Sequence, residues 1–252
     1  MTIDMLQAWY GGGFRVNDFI YIHQPTISEI IEFGEEQYFN TVYTLCAIPS
    51  DVKSVLDDIG KDYEQTSDFE CFALLAKSLT QQQTSILLGD LDFQKFTLCT
   101  RKDNGELVLF NHQDNILIDK YVYYIMINYL RTINHIVPKV EKAGNALTKQ
   151  VLIDEDREAR QSKKKFQSLL FPLLSTMLCY SGFKYKKSEL NEVGIMEFLD
   201  AVQRSQIIES VSALMRGMYS GMIDTKKIKN SELNWFREIA PSSHRENIKI
   251  PT

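Results

Sequence analysis

Ile22-His23-Gln24-Pro25-Thr26-Ile27-Ser28-Glu29-Ile30-Ile31-Glu32-Phe33-Gly34-Glu35-Glu36-Gln37-Tyr38 passes from a short strand, through a proline-marked stop, into a capped amphipathic helix. Thr26 and Glu29 have the Thr-x-x-Glu spacing of a capping box. The threonine oxygen can satisfy a free N–H of the first turn while the glutamate reaches back to the cap. Ile27, Ile30, Ile31, Gly34 and Tyr38 then share one helical face, which must be buried. This strand-and-helix step sets an N-terminal module apart from a helical chain.

On the N-terminal side, the first dozen residues run into Gly11-Gly12-Gly13, which reads as a loose arm or turn. A phosphate-cradling loop is the sharper alternative, but no Gly-Lys-Ser/Thr follows. Phe14 to His23 has the composition of a strand.

On the C-terminal side, Thr41 to Ile48 predicts a second helix, stopped by Pro49. Ser50 is placed to cap a third, with Val52, Val55, Leu56 and Ile59 on one face and Gly60 as its stop. Ser67 to Leu79 predicts another, and the polar run Thr80 to Thr84 loosens the pattern. Phe93 to Thr100 and Glu106 to Phe110 flank Asn104-Gly105, a pair that tolerates the positive φ of a hairpin turn.

The apolar segment from Ile116 to Ile133 is interrupted by Asp119, Lys120, Asn128 and Arg131, so it makes a poor membrane span and reads as a buried helix opened by Asp119. Beyond Pro138 and Gly144 the chain reads as helical. Leu147 to Gln161 is charged and exposed in its second half, and Phe166 to Tyr180 is apolar, with Pro172 near its first turn. Met196 to Met218 forms the last long helix, and Ala240 to Thr252 a frayed tail.

The expected fold is mainly α (α+β): a small N-terminal antiparallel sheet with helices, followed by a helical bundle. The expected division is an α+β module over 1–111, a helical domain over 112–238 and a flexible tail over 239–252, with a single cooperative domain as the rival.

The 44% hydrophobic and 24% charged residues suit a globular chain with a sizeable core. A net charge of -5 gives no global attraction for nucleic acid or an anionic membrane, so neither is expected as a partner. Cys46, Cys71, Cys99 and Cys179 form no Cys-x-x-Cys pair and suit reduced, buried thiols. The first residues lack the basic stretch and apolar run of a secretion signal.

Chemistry-bearing patterns are sparse. His23, His112, His135 and His244 show no i, i+3 or i, i+4 pair, so no helix offers a metal site. No nucleophile elbow is present. Glu29, Glu32, Glu35 and Glu36 cluster on the first helix, as acid–base groups or, more simply, as a solvated helix start. The clusters Lys163-Lys164-Lys165, Lys184-Lys186-Lys187 and Lys226-Lys227-Lys229 suit solubility or an acidic partner better than a nucleic acid, although Phe183 and Tyr185 interleave the second. No enzyme and no cofactor is expected.

The strand, Gln24-Pro25-Thr26 and Glu-bearing helix resemble the start of bacteriophage tail assembly chaperones. The later part is similar to proteins from tail-gene regions of phages and prophages of low-GC Gram-positive bacteria. That likeness rests on Asp154-Glu155-Asp156-Arg157-Glu158, Gly182-Phe183-Lys184-Tyr185, Phe198-Leu199-Asp200-Ala201-Val202-Gln203-Arg204, Tyr219-Ser220-Gly221 and Asp224-Thr225-Lys226-Lys227-Ile228 leading to Leu233-Asn234-Trp235. The chain is longer than the short chaperones it resembles.

The resemblance implies a non-enzymatic protein of the host cytoplasm that coats a tape-measure protein, recruits tail-tube subunits and leaves before the virion is complete. A homo-oligomer is compatible with it. A structural tail or connector component and a counter-defence protein are the alternatives. Tyr123, Tyr124, Met126, Met215 and Met218 are the candidates to line an apolar partner groove, with Trp235 as an anchor; the competing assignment for all of them is the protein's own core.

Overall fold

The computed structural model describes residues 3–162, 165–222 and 228–239. The expected tail over 240–252, with His244, lies outside them, as do Lys163, Lys164, Lys226 and Lys227.

The first residues are more ordered than a loose arm. Asp4 caps a short helix α1 (Met5–Trp9), its carboxylate accepting from Leu6 N at 3.0 Å and Gln7 N at 3.2 Å. The stretch from Phe14 to His23 is a hairpin rather than one strand: β1 (Phe14–Arg15) pairs antiparallel with β2 (Tyr21–Ile22). Asn17 makes the turn, its Oδ1 accepting from Phe19 N at 2.9 Å and Ile20 N at 2.8 Å. Ile20 and Ile22 point into the core, while Phe19 and Tyr21 face out. Gly13 is glycine for a steric reason: a side chain there would run into the Tyr21 ring and lie 2.7 Å from the Ile22 carbonyl.

The Thr26–Glu29 capping box is present: Glu29 N donates to Thr26 Oγ1 at 3.2 Å, and Thr26 N donates to Glu29 Oε2 at 2.7 Å. The helix it starts, α2 (Ile27–Phe33), stops at Gly34, whose φ of +103° no side-chain-bearing residue adopts readily. A new helix, α3 (Glu35–Cys46), begins at once. The single face expected through Tyr38 is therefore split between two helices, and Ile31 is exposed while Ile27, Ile30 and Tyr38 are buried. Tyr38 donates its hydroxyl to Asn134 Oδ1 at 2.6 Å, and burial pushes its phenol well above the ordinary tyrosine value.

Ser50 does not cap the next helix, α4 (Lys53–Asp58); its hydroxyl instead accepts from Glu141 N at 3.0 Å. The cap comes from far along the chain, where Asp156 accepts from Ser54 N at 2.9 Å. Ser67 and Glu70 box the start of α5 (Asp68–Ala76), inside the helix expected from Ser67 to Leu79. The polar run after it is itself a helix, α6 (Gln81–Leu88), boxed by Thr80 and Gln83. Three polar glutamines at its start hide this helix from a hydrophobic-periodicity reading.

The Asn104-Gly105 hairpin forms, joining β3 (Thr97–Thr100) to β4 (Leu107–Asn111). Ile116 to Ile118, expected as the start of a helix, forms a third antiparallel strand, β5 (Ile116–Ile118). The two hairpins make two separate sheets, β1-β2 and β3-β4-β5. Asp119 then caps α7 (Lys120–Ile133), accepting from Tyr121 N at 3.0 Å and Val122 N at 2.9 Å.

Three further helices follow: α8 (Ala146–Gln161), α9 (Leu170–Cys179) and α10 (Ile195–Tyr219). The second half of α8 is not simply exposed. Arg157 bridges Asp57 and Asp58 of α4 as well as Asp154, and Asp156 bonds Ser54, so charged side chains hold α8 to α4 around Leu56, Tyr63 and Ile153. Apart from that satellite cluster, the main core runs from Ala8 to Val202 and includes side chains of α1 to α3, α5 to α7, α9 and α10. On α10 the inward residue of its fourth turn is Ile207, where Ile208 was expected.

Candidate binding surfaces

The entrance to α10 is built into the N-terminal module. Ile27 N donates to Val193 O at 3.0 Å, and Ile195 N donates to Pro25 O at 3.0 Å, so the Pro25-Thr26 step and the start of α10 clasp each other through backbone bonds. Gln24 is 3% exposed and its amide lies against Gly194, where an added Cβ would come 3.3 Å from Gln24 Oε1. The start of α9 is fixed equally firmly. Glu35, in the first turn of α3, accepts from Ser168 Oγ at 2.6 Å, Leu169 N at 2.5 Å and Leu170 N at 2.7 Å.

The buried side chains of α10 are Ile195, Met196, Phe198, Leu199, Val202, Ile207 and Val211; beyond Val211 the helix buries none. Leu214, Met215 and Met218 are half-buried there, and Tyr219 and Met222 are 87% and 86% exposed. A short turn at Asn230–Leu233 follows, and Arg204 of α10 holds the Trp235 carbonyl at 2.8 Å and the Arg237 carbonyl at 2.9 Å. Trp235 is half open and Phe236 almost fully so.

The six side chains picked out from sequence do not form one surface. Tyr123 and Met126 of α7 are buried in the core. Their neighbours on α7 turn them inward, because a helix buried on several faces leaves few positions outside. Burial also raises the Tyr123 phenol far above its ordinary value. Tyr124 is on the exposed side of α7. Met215 and Met218 share the open end of α10, and Trp235 lies near it in sequence but is tied to its middle through Arg204.

A second concave feature lies at the N-terminal module. A cleft of about 1020 Å³ opens between β2, α2, the end of α6 and the β4–β5 turn. Phe19 and Tyr21 stand on its wall, 62% and 50% exposed. His23 lies inside it, paired to Glu29 at 3.0 Å. Burial alone would raise the Glu29 carboxyl, but the Thr26 N–H and His23 outweigh it and hold the group below the ordinary glutamate value. The strand pattern could have revealed this wall: with Ile20 and Ile22 inward, a period of two puts Phe19 and Tyr21 outside.

Among the described residues no three His, Cys, Asp or Glu side chains gather as a metal site. Glu32 accepts from Ser28, Glu36 is exposed, and the clustered glutamates belong to two helices. His112 stacks edge-on to Phe110, and His135 ends α7 with a positive φ of 52°. Burial pushes the Cys46 and Cys71 thiols up to about 12, which favours the protonated thiol over the thiolate. Lys165, Lys184, Lys186 and Lys187 are exposed. No helix among the described residues is long and apolar enough to cross a membrane.

Residues 161–240 match the family model of the YomV second domain. YomV is a Bacillus phage-region protein, so the match is consistent with a phage protein. It covers roughly a third of the chain, the part that holds α9, α10 and the Trp235 turn. Comparison with curated proteins and with solved structures found no match.

Proposed function

We propose that this chain is a phage morphogenesis protein that acts by binding other proteins, and specifically a tail assembly chaperone for a tape-measure protein. The observation that carries the reading is the open end of α10. A 25-residue helix is clasped by the body at its start, has no fully buried side chain after Val211, and there leaves Met215 and Met218 half-open, with Tyr219 and the following Met222 exposed. Methionine-rich helical surface suits a partner helix of variable sequence, because the unbranched thioether repacks at little cost. The YomV second-domain match over the same segment supports a phage setting. The chain works in the host cytoplasm, takes no cofactor and catalyses no reaction in this reading.

The test is capture from phage-infected cells with the full chain as bait, together with mass spectrometry of purified virions. Recovery of the tape-measure or tail-tube protein, with this chain missing from virions, is the expected result. Substituting Met215→Lys and Met218→Lys together should abolish the capture. A fixed copy number in virions would replace the chaperone by a structural tail or connector component.

A further inference from the structure

The cleft beside β2 is a different surface from the open end of α10, and its chemistry selects a different kind of ligand. Five carboxylates line it, Glu29, Glu32, Asp90, Asp92 and Asp114, against Lys95 as the only lysine or arginine among the described lining residues. His23 adds no free cation, because its Nε2 is engaged by Glu29. The acidic groups are held in place: Asp92 accepts from Gln94 N at 3.0 Å, Asp114 from Asn111 Nδ2 at 2.8 Å, and Glu29 closes the capping box. Glu29 is matched by His23, and the other four carboxylates face Lys95 as the only lysine or arginine among the described lining residues. Between them stand Phe19 and Tyr21, two rings kept out of the core by the pleat of β2 and its turn.

A concave surface with fixed negative charge at its edge and exposed rings on its wall complements a segment carrying both lysine or arginine and an apolar side chain. Cations over ring faces and salt bridges to the rim would act together. The wall is built from two backbone elements locked to each other, since His23 N donates to Leu87 O at 2.8 Å, so the shape exists before any ligand arrives. We infer that this cleft is a docking site for a basic amphipathic peptide segment of a partner protein. The inference rests on the reading of the chain as a protein-binding protein, but not on the tape-measure protein being the partner nor on the α10 surface.

The experiment uses the full chain and a fluorescein-labelled helical peptide of leucine and lysine, followed by fluorescence anisotropy. The same peptide with every lysine replaced by glutamate is the charge control. Glu32→Lys with Asp90→Lys reverses two exposed carboxylates of the rim, and Glu155→Lys with Glu158→Lys makes the same change in net charge on the exposed side of α8.

Binding of the lysine peptide should weaken by about tenfold in the rim variant and by less than about twofold in the α8 variant, and should fall as salt is raised. Phe19→Ser, at an exposed position, should also weaken it. Equal weakening in the two charge variants, or equal binding of the glutamate peptide, overturns the proposal, because attraction would then be global or apolar. Tighter binding after deletion of residues 240–252 would assign the cleft to the chain's own Arg245- and Lys249-bearing end, and self-association lost in the rim variant would assign it to a second copy; either also overturns it. Capture of a tape-measure protein that persists in the rim variant would leave the chaperone reading standing while the cleft assignment falls.

Discussion

Removing the Glu35 carboxylate isolates the bond that ties the first third of the chain to α9. Glu35→Ala strips three donors at once, Ser168 Oγ, Leu169 N and Leu170 N, all within 2.7 Å of one carboxylate. The α9 start has no side-chain cap of its own at Leu169, so the two backbone groups lose the acceptor this structure gives them. A lost cap costs about 0.5–2 kcal/mol, and a hydrogen bond to a charged group contributes about 1.5–3 kcal/mol when water is excluded. The site is part-exposed, so water replaces some of the loss, and about 2 kcal/mol is expected for the alanine variant. For a chain of this length that is a fall of about 4–8 °C in Tm. Glu35→Gln keeps one acceptor oxygen and should lose about half as much.

Urea unfolding gives the global figure, and hydrogen exchange gives the local one. Leu169 and Leu170 amides should exchange about 30-fold faster in Glu35→Ala, the equivalent of about 2 kcal/mol, while amides in the middle of α7 follow only the global change. A loss under about 0.5 kcal/mol with unchanged exchange at Leu170 would refute the claim that this carboxylate holds α9 in place.

Asp119→Ala should destabilise the chain by about 1 kcal/mol in urea titration, because it leaves the Tyr121 and Val122 amides of the central helix uncapped. Stability should fall in acid: Glu29 and Glu70 are both held below the ordinary value of 4.5, so their contribution is complete above that pH and is lost as the pH drops beneath it. For Glu70 the main cause is the Ser67 N–H, and replacing Glu29 and Glu70 by Gln should flatten the acid limb of a stability–pH curve. Arg157→Ala should speed hydrogen exchange across α8 at low salt and much less at high salt, since Asp57, Asp58 and Asp154 attract that guanidinium near the surface. Residues 161–240 expressed alone should give no cooperative thermal melt by circular dichroism, because the Glu35 cap and the Pro25 and Ile27 backbone partners of α10 lie outside them. A cooperative melt matching the full chain would sink that expectation.

The parts of the fold legible in sequence were those announced by local chemistry. The Thr26–Glu29 box, the Asp119 cap and the Asn104-Gly105 turn each encode their geometry within four residues. What escaped depended on distant partners. Ser50 has the chemistry of a cap, yet Glu141 takes its hydroxyl and Asp156 caps α4 instead. Gly34 reads as part of a helical face, yet its positive φ turns one helix into two. The candidate groove failed for a related reason. Tyr123 and Met126 occupy the same periodic pattern whether that face meets a partner or the chain's own core, and periodicity carries no information about which. Met215 and Met218 are left half-open where α10 runs past Val211, its last fully buried side chain.

That difference in coverage follows from where α10 is anchored. Its entry is fixed by backbone bonds to Pro25 and Ile27, and its buried side chains stop at Val211, so the last two turns carry no fully buried anchor. A helix is stiff over such a length, and fixing its start fixes the direction of the rest. Arg204 extends the constraint by holding the Trp235 and Arg237 carbonyls, which brings the chain after α10 back along the helix. The Pro25-Thr26 step therefore does more than begin α2. Its carbonyl and the Val193 carbonyl join the N-terminal module to the segment that matches the YomV second domain, so the open end of α10 is aimed by residues the match does not contain. Under the proposed function, a substitution near Pro25 should therefore weaken capture from infected cells without altering any residue at Met215, through the angle at which α10 leaves the body.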